Sequence, residues 1–161
     1  FFLKLLEKNL VNSPTPLVRR SVFDKVGLFN PNFTIAEDWE FWRRVAYFFK
    51  IYNANTVFAY LRQHDLNMTK KRTADPIESF FLYRKLTRSL ITWGNPFFTK
   101  SDSLIIYKTE WKIYRKILTN RCPGSYNKMK IFFRVLLKKP GFACHLINLI
   151  LRFESKYEAQ K

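Results

Sequence analysis

Residues 34–49 read Thr34-Ile35-Ala36-Glu37-Asp38-Trp39-Glu40-Phe41-Trp42-Arg43-Arg44-Val45-Ala46-Tyr47-Phe48-Phe49, and this stretch decides the fold. Thr34 followed by Glu37 has the spacing of a capping box, which predicts a helix from about Glu37 to Phe49. Phe41, Trp42, Val45 and Phe48 or Phe49 recur at helical spacing and make its apolar stripe. Glu40 is placed to pair with Arg43 or Arg44.

Upstream, Phe1–Leu10 has a second helical pattern, and reads as the middle of a helix whose beginning is missing. Pro14 and Pro16 bar its continuation. Leu17-Val18 suits a short strand. Ser21 is a favourable N-cap for a short helix through Val26, with Gly27 as its stop. Asn30-Pro31-Asn32 is turn chemistry. Downstream, Ile51–Leu61 is rich in Tyr, Val, Phe and Ile and is interrupted by Asn53 and Asn55, which predicts one or two strands. Arg62–Lys71 reads as a polar loop. Helices are expected over Pro76–Trp93, Ser101–Thr119 and Asn127–Leu137, and again to Arg152 after the break at Pro140-Gly141.

The 161 residues carry 29 Lys and Arg against 12 Asp and Glu, a net charge of +17. The charge is uneven: residues 1–69 hold nine basic and six acidic residues, whereas 70–161 hold twenty and six. A boundary near Lys70-Lys71-Arg72 follows, with a mixed segment over 1–70 and a basic helical region over 71–161. With 47% hydrophobic residues, 18% aromatic residues and only four glycines, the chain is neither disordered nor collagenous. It contains no glycine-rich phosphate loop. Cys122 and Cys144 are too few for a disulfide framework or a four-cysteine zinc site, and they fit a reducing compartment. Pro140–Leu151, 12 residues long, is the longest uncharged piece of the most apolar region. That is short of the roughly 20 residues a spanning helix needs.

Carboxylates are scarce, and Glu37-Asp38 is the one adjacent pair. Their mutual repulsion raises one pKa, while a helix N-terminus favours ionisation. An ionised carboxylate aimed by its helix suits a general base. The structural alternative is that Glu37 closes the capping box and Asp38 sits well in a first turn. Arg62-Gln63-His64 is a second cluster, with an Arg fork for phosphate oxygens and a His as donor or candidate metal ligand. Arg19-Arg20 suits an anionic ligand or packing. Trp39 and Trp42 follow next to the acidic pair; a Trp face stacks on a sugar ring, and Trp42, on the apolar stripe, suits the core.

The ordered set formed by Leu17–Phe29, Asn30–Phe33, Ala36–Ala46 and Arg62-Gln63-His64 with Asn67 and Thr69 resembles the second half of a family 2 glycosyltransferase with the GT-A fold. The resemblance covers residues 12–70 and implies an α/β fold, α-rich in this chain. It also implies transfer of a sugar from a nucleotide-sugar donor to an acceptor hydroxyl with inversion, in cell-surface polysaccharide or glycolipid synthesis. Asp38 stands at the place of the family's general base, with Glu37 orienting the acceptor or the helix. Arg62 and His64 stand where the family contacts the donor diphosphate, and Trp39 and Arg20 join them as substrate-binding candidates. Leu61 replaces a usual Tyr. The family's nucleotide-binding half and its Asp-x-Asp motif are not in these residues, so the divalent metal (Mg or Mn) is expected only of an intact enzyme. The expectation is a truncated transferase, inactive by itself.

The resemblance does not reach residues 71–161. There Leu104, Ile105, Tyr107, Trp111, Tyr114 and Leu118 alternate with Lys108, Lys112, Arg115 and Lys116. Ile131, Phe132, Phe133, Val135 and Leu136 lie beside Lys128, Lys130, Arg134, Lys138 and Lys139. Such helices suit a membrane interface, which predicts a cytoplasmic protein peripheral on the inner face of the membrane, or else a bundle with a solvated basic surface. The competing function is a basic module that binds nucleic acid or membrane without catalysis. No nucleic-acid motif supports the first, and Glu37-Asp38-Trp39-Glu40 would be out of place on a phosphate-binding face.

Overall fold

The structure, a computed structural model, describes residues 1–62 and 76–121 and isolated helical positions at 133, 137, 141, 144, 147 and 148. Five helices are present among the described residues: α1 (Phe2–Glu7), α2 (Arg20–Val26), α3 (Glu37–Phe48), α4 (Pro76–Gly94) and α5 (Lys100–Arg121). His64 and the predicted loop around it lie outside the described residues, as does most of the chain predicted helical beyond Asn127. The chain forms two compact units. One comprises Phe1–Thr73 with Arg88–Phe97, and the other Ala74–Thr87 with Phe98–Lys161.

The described residues contain helices and no strand, so the expected α/β character is corrected to α. Neither Leu17-Val18 nor Ile51–Leu61 is a strand. A strand exists only when its N–H and C=O groups pair with a neighbour, and composition says nothing of whether one is there. Residues 51–61 are broken in the middle instead. Asn55 is left-handed (φ 52°), and its N–H donates to Asn53 Oδ1 at 3.0 Å. Tyr52, Val57, Phe58 and Tyr60 are exposed along the segment.

In the first unit α3 is the hub. Its first turn holds Glu37, Asp38 and Glu40, the sign a helix N-terminus favours. The Thr34–Glu37 capping box is not formed: the N-cap is Ala36, left-handed (φ 62°), with no side-chain cap. Phe33 and Ala36 are both buried, and seating them outweighs the cap. Phe41 is fully buried, its ring 5.2 Å from Phe23 and 4.5 Å from Phe29. Tyr47 and Phe48 leave the other end of α3 to meet Trp93 and Phe97, with ring centroids 5.1–6.4 Å apart. Full burial of the Phe41 ring contributes about 2–3 kcal/mol, and the partly exposed rings around it contribute less.

Two consecutive arginines of α3 collect the carbonyls that end α1 and α2, groups a helix leaves without internal partners. Arg43 donates to Leu5 O (3.2 Å) and Leu6 O (2.6 Å), and Trp39 Nε1 donates to Leu5 O (2.6 Å). Arg44 donates through Nη1 to Val26 O and through Nη2 to Leu28 O at 2.7 Å. Arg44 also forks onto Glu40, with Nη2–Oε2 at 2.9 Å and Nε–Oε1 at 3.1 Å. Glu40 in turn accepts from Ser89 Oγ at 2.9 Å. Of the two sequence alternatives for Glu40, Arg44 is the partner. Helix α2 begins one residue before Ser21 and has no side-chain cap, whereas its stop is Gly27 as expected.

Gly27 has φ 82° and ψ 175°, a region essentially closed to residues with a Cβ. An added Cβ would meet Arg44 Nη1 at 3.5 Å, an ordinary van der Waals contact, so the cost lies in the backbone conformation. Gly27→Ala is expected to destabilise the chain by about 1–3 kcal/mol, read as a lower urea midpoint with unchanged m-value.

In the second unit α5 starts at Lys100, one residue before the expected Ser101, and is capped by reciprocal bonds at Thr99. Asp102 N–H donates to Thr99 Oγ1 (3.1 Å), and Thr99 N–H donates to Asp102 Oδ2 (2.9 Å). Ile106, Trp111, Ile113, Tyr114 and Ile117 are buried, as are Ile77, Phe80 and Leu86 of α4. Trp111 and Tyr114 are therefore core residues, not interfacial ones. Of the Met129–Leu137 stretch, Phe133 and Leu137 are described, and both are helical and exposed.

Tyr114 OH donates to buried Glu110, which lies 3.8 Å from Arg84. Burial first, then the Glu110 charge, pushes the Tyr114 phenol well above its usual value near 10. The folded state thus holds this proton more tightly than the unfolded chain. The stabilisation is complete below about pH 10 and is lost as pH climbs from there toward the folded value. Wild type is expected to lose up to about 1.4 kcal/mol per pH unit above pH 10 in excess of Tyr114→Phe, measured by denaturant titration at each pH.

Candidate functional site

The acidic pair opens α3, and its two members differ. Glu37 is exposed, whereas Asp38 is half-buried. Asp38 Oδ2 accepts from Asn9 Nδ2 at 3.0 Å and from Ser13 Oγ at 2.5 Å. Its Oδ1 accepts from the Trp39 N–H at 2.7 Å. A carboxylate offers about four lone-pair directions, so these bonds leave about one, on Oδ1. The carboxylate is held in direction by groups from three places: the chain just after α1, the Ser13-Pro14 turn and the first turn of α3.

Asn9 and Ser13 were not legible as partners, standing 29 and 25 residues from Asp38. The one signal for them is chemical: short polar side chains where α1 ends and before Pro14. The structure joins them to Asp38 because α1 packs on α3, its terminal carbonyls held by Arg43 and Trp39.

The remaining candidates separate. Trp39 is 8% exposed, its indole N–H is bound to Leu5 O, and the Arg43 guanidinium lies 4.5 Å from its ring centroid. It offers no open face for a sugar, and its assignment as substrate-binding is corrected to a core and capping role. Trp42 is also core, at 6% exposure. Arg20 is exposed at the first turn of α2, and Arg62 is exposed beyond the 51–61 segment. Neither supplies one of the Asp38 hydrogen bonds above. The described residues hold no group of three His, Cys, Asp or Glu that would ligate a metal, so no metal ligand set is assigned to them. No helix among them is long and apolar enough to cross a membrane.

Compared with known protein families, with curated proteins and with solved structures, the chain finds no match.

Proposed function

We propose that these residues form the acceptor side of an inverting glycosyltransferase in which Asp38 is the general base. What supports this reading is the Asp38 carboxylate itself. It is half-buried, fixed on Oδ2 by Asn9 and Ser13, and keeps one direction on Oδ1 for an incoming hydroxyl. Ser13 Oγ already bonds to it at 2.5 Å, the short end of the range for an alcohol on a carboxylate.

In this mechanism an acceptor O–H donates to Asp38. As the oxygen attacks the anomeric carbon, its proton passes to the carboxylate. The bond from that carbon to the donor diphosphate breaks, and the nucleoside diphosphate leaves with the electron pair. Attack opposite the leaving group inverts the centre. Arg62 and His64 are the residues of this chain with the chemistry to hold the departing diphosphate, following the resemblance. A divalent metal, Mg or Mn, would supply further charge on the donor side. The test is transfer of labelled sugar from a nucleotide-sugar to a saccharide acceptor by the enzyme carrying these residues, with Asp38 intact and replaced.

A further inference from the structure

Ser13 Oγ donates to Asp38 Oδ2 at 2.5 Å, and Asn9 Nδ2 donates to the same oxygen at 3.0 Å. A hydroxyl resting on a base, with the base held by a third group, is the arrangement of an activated nucleophile. A nucleophile also needs access, and Ser13 has it: the residue is exposed, in the turn it shares with Pro14, whereas Asp38 is half-buried behind it. Thr15, two residues on, is exposed too, but its Oγ1 donates to the Asn12 carbonyl at 2.8 Å, an oxygen that takes no proton.

The base decides which electrophile suits this hydroxyl. A carboxylate is too weakly basic to turn an alcohol into a free alkoxide, and takes the proton only as the new bond forms. An anomeric carbon that sheds its leaving group develops positive charge and needs no free alkoxide. Resting on the reading of Asp38 as the base of a glycosyltransferase, we infer that Ser13 is itself a glycosyl acceptor, modified when no other acceptor holds the site. A bond forms between Ser13 Oγ and the anomeric carbon of a nucleotide-sugar. The bond from that carbon to the donor diphosphate breaks, and the nucleoside diphosphate leaves with the electron pair. The Ser13 proton passes to Asp38 and from there to water. The product is an O-glycosyl serine, an acetal that persists at neutral pH, so each chain is modified once.

The experiment takes the intact enzyme carrying these residues, without any saccharide acceptor, and offers UDP-glucose, UDP-galactose, UDP-N-acetylglucosamine and GDP-mannose in turn. One of these donors is expected to raise the mass of the intact protein by one glycosyl residue. Peptide fragmentation should place the sugar on Ser13 and not on Thr15. Ser13→Ala should lower incorporation at least about tenfold, Asp38→Asn should lower it by about 10²-fold or more, and Thr15→Ala should leave it unchanged. The mapping is done on the wild-type protein, so it decides the matter even if the Ser13 variant fails to fold. If a saccharide is glycosylated but Ser13 stays bare when the saccharide is left out, the inference falls and the reading of Asp38 as base stands. Sugar on Thr15 or elsewhere in place of Ser13 overturns it, as does incorporation by Asp38→Asn at the wild-type rate. If none of the donors is used on a saccharide or on Ser13, the glycosyltransferase reading falls and this inference with it.

Discussion

In the intact enzyme, Asp38→Asn is expected to lower sugar transfer by about 10²–10⁴-fold while nucleoside diphosphate binding stays within error of wild type. The substitution keeps the shape of the side chain. With the amide oxygen at the Oδ2 position the bonds from Asn9 and Ser13 remain, whereas the amide NH2 takes the Oδ1 position and the bond from the Trp39 N–H is lost. What is lost is the ability to take a proton, because an amide oxygen is too weakly basic to remove one from an alcohol. The effect should fall on turnover more than on acceptor KM. Asn9→Ala provides the contrast, since it loosens the carboxylate without removing it, and should cost far less than Asp38→Asn. Near-normal turnover by Asp38→Asn, with the protein folded, sinks the assignment of Asp38 as base.

The site and the scaffold were legible to different depths. Helix α3 was readable because Phe41, Trp42 and Val45 repeat at helical spacing and because acids crowd its start. Helices α4 and α5 were readable for the first reason alone. Gly27 was readable as a stop because its conformation suits no other residue. The arginine caps were not, because the partners of Arg43 and Arg44 are backbone carbonyls 16–38 residues away. A carbonyl has no signature in sequence. The strand expected over Ile51–Leu61 failed for a related reason: its composition describes a side-chain surface that fits a pleat, whereas a strand is made by a neighbour. Trp39 misled because a tryptophan beside a carboxylate reads the same whether its ring faces solvent or lies under a guanidinium.

Arg44→Met is expected to be the most destabilising single substitution in the first unit, at about 3–5 kcal/mol. Arg44 is 4% exposed and does two jobs at once. It neutralises Glu40, itself 2% exposed, and it satisfies the carbonyls of Val26 and Leu28. Removing it leaves a buried carboxylate held by Ser89, and Leu28 O loses the Arg44 bond. Val26 O fares better, since Trp93 Nε1 still donates to it at 3.1 Å. A loss of this size is a large part of the total stability of a domain, about 5–15 kcal/mol. Arg43→Met separates burial from charge. It removes an equally buried guanidinium that serves carbonyls, and Leu5 O keeps its bond from Trp39. No buried anion is abandoned, so the cost should be about 1–3 kcal/mol. Glu40→Leu combined with Arg44→Met should recover part of the Arg44→Met loss by removing the stranded charge, but not all of it, because Leu28 O still lacks the Arg44 donor. Urea denaturation of the three variants orders these costs. If Arg44→Met proves no worse than Arg43→Met, stranding the Glu40 carboxylate carries no extra cost, and the Arg44 loss is that of its carbonyl bonds alone.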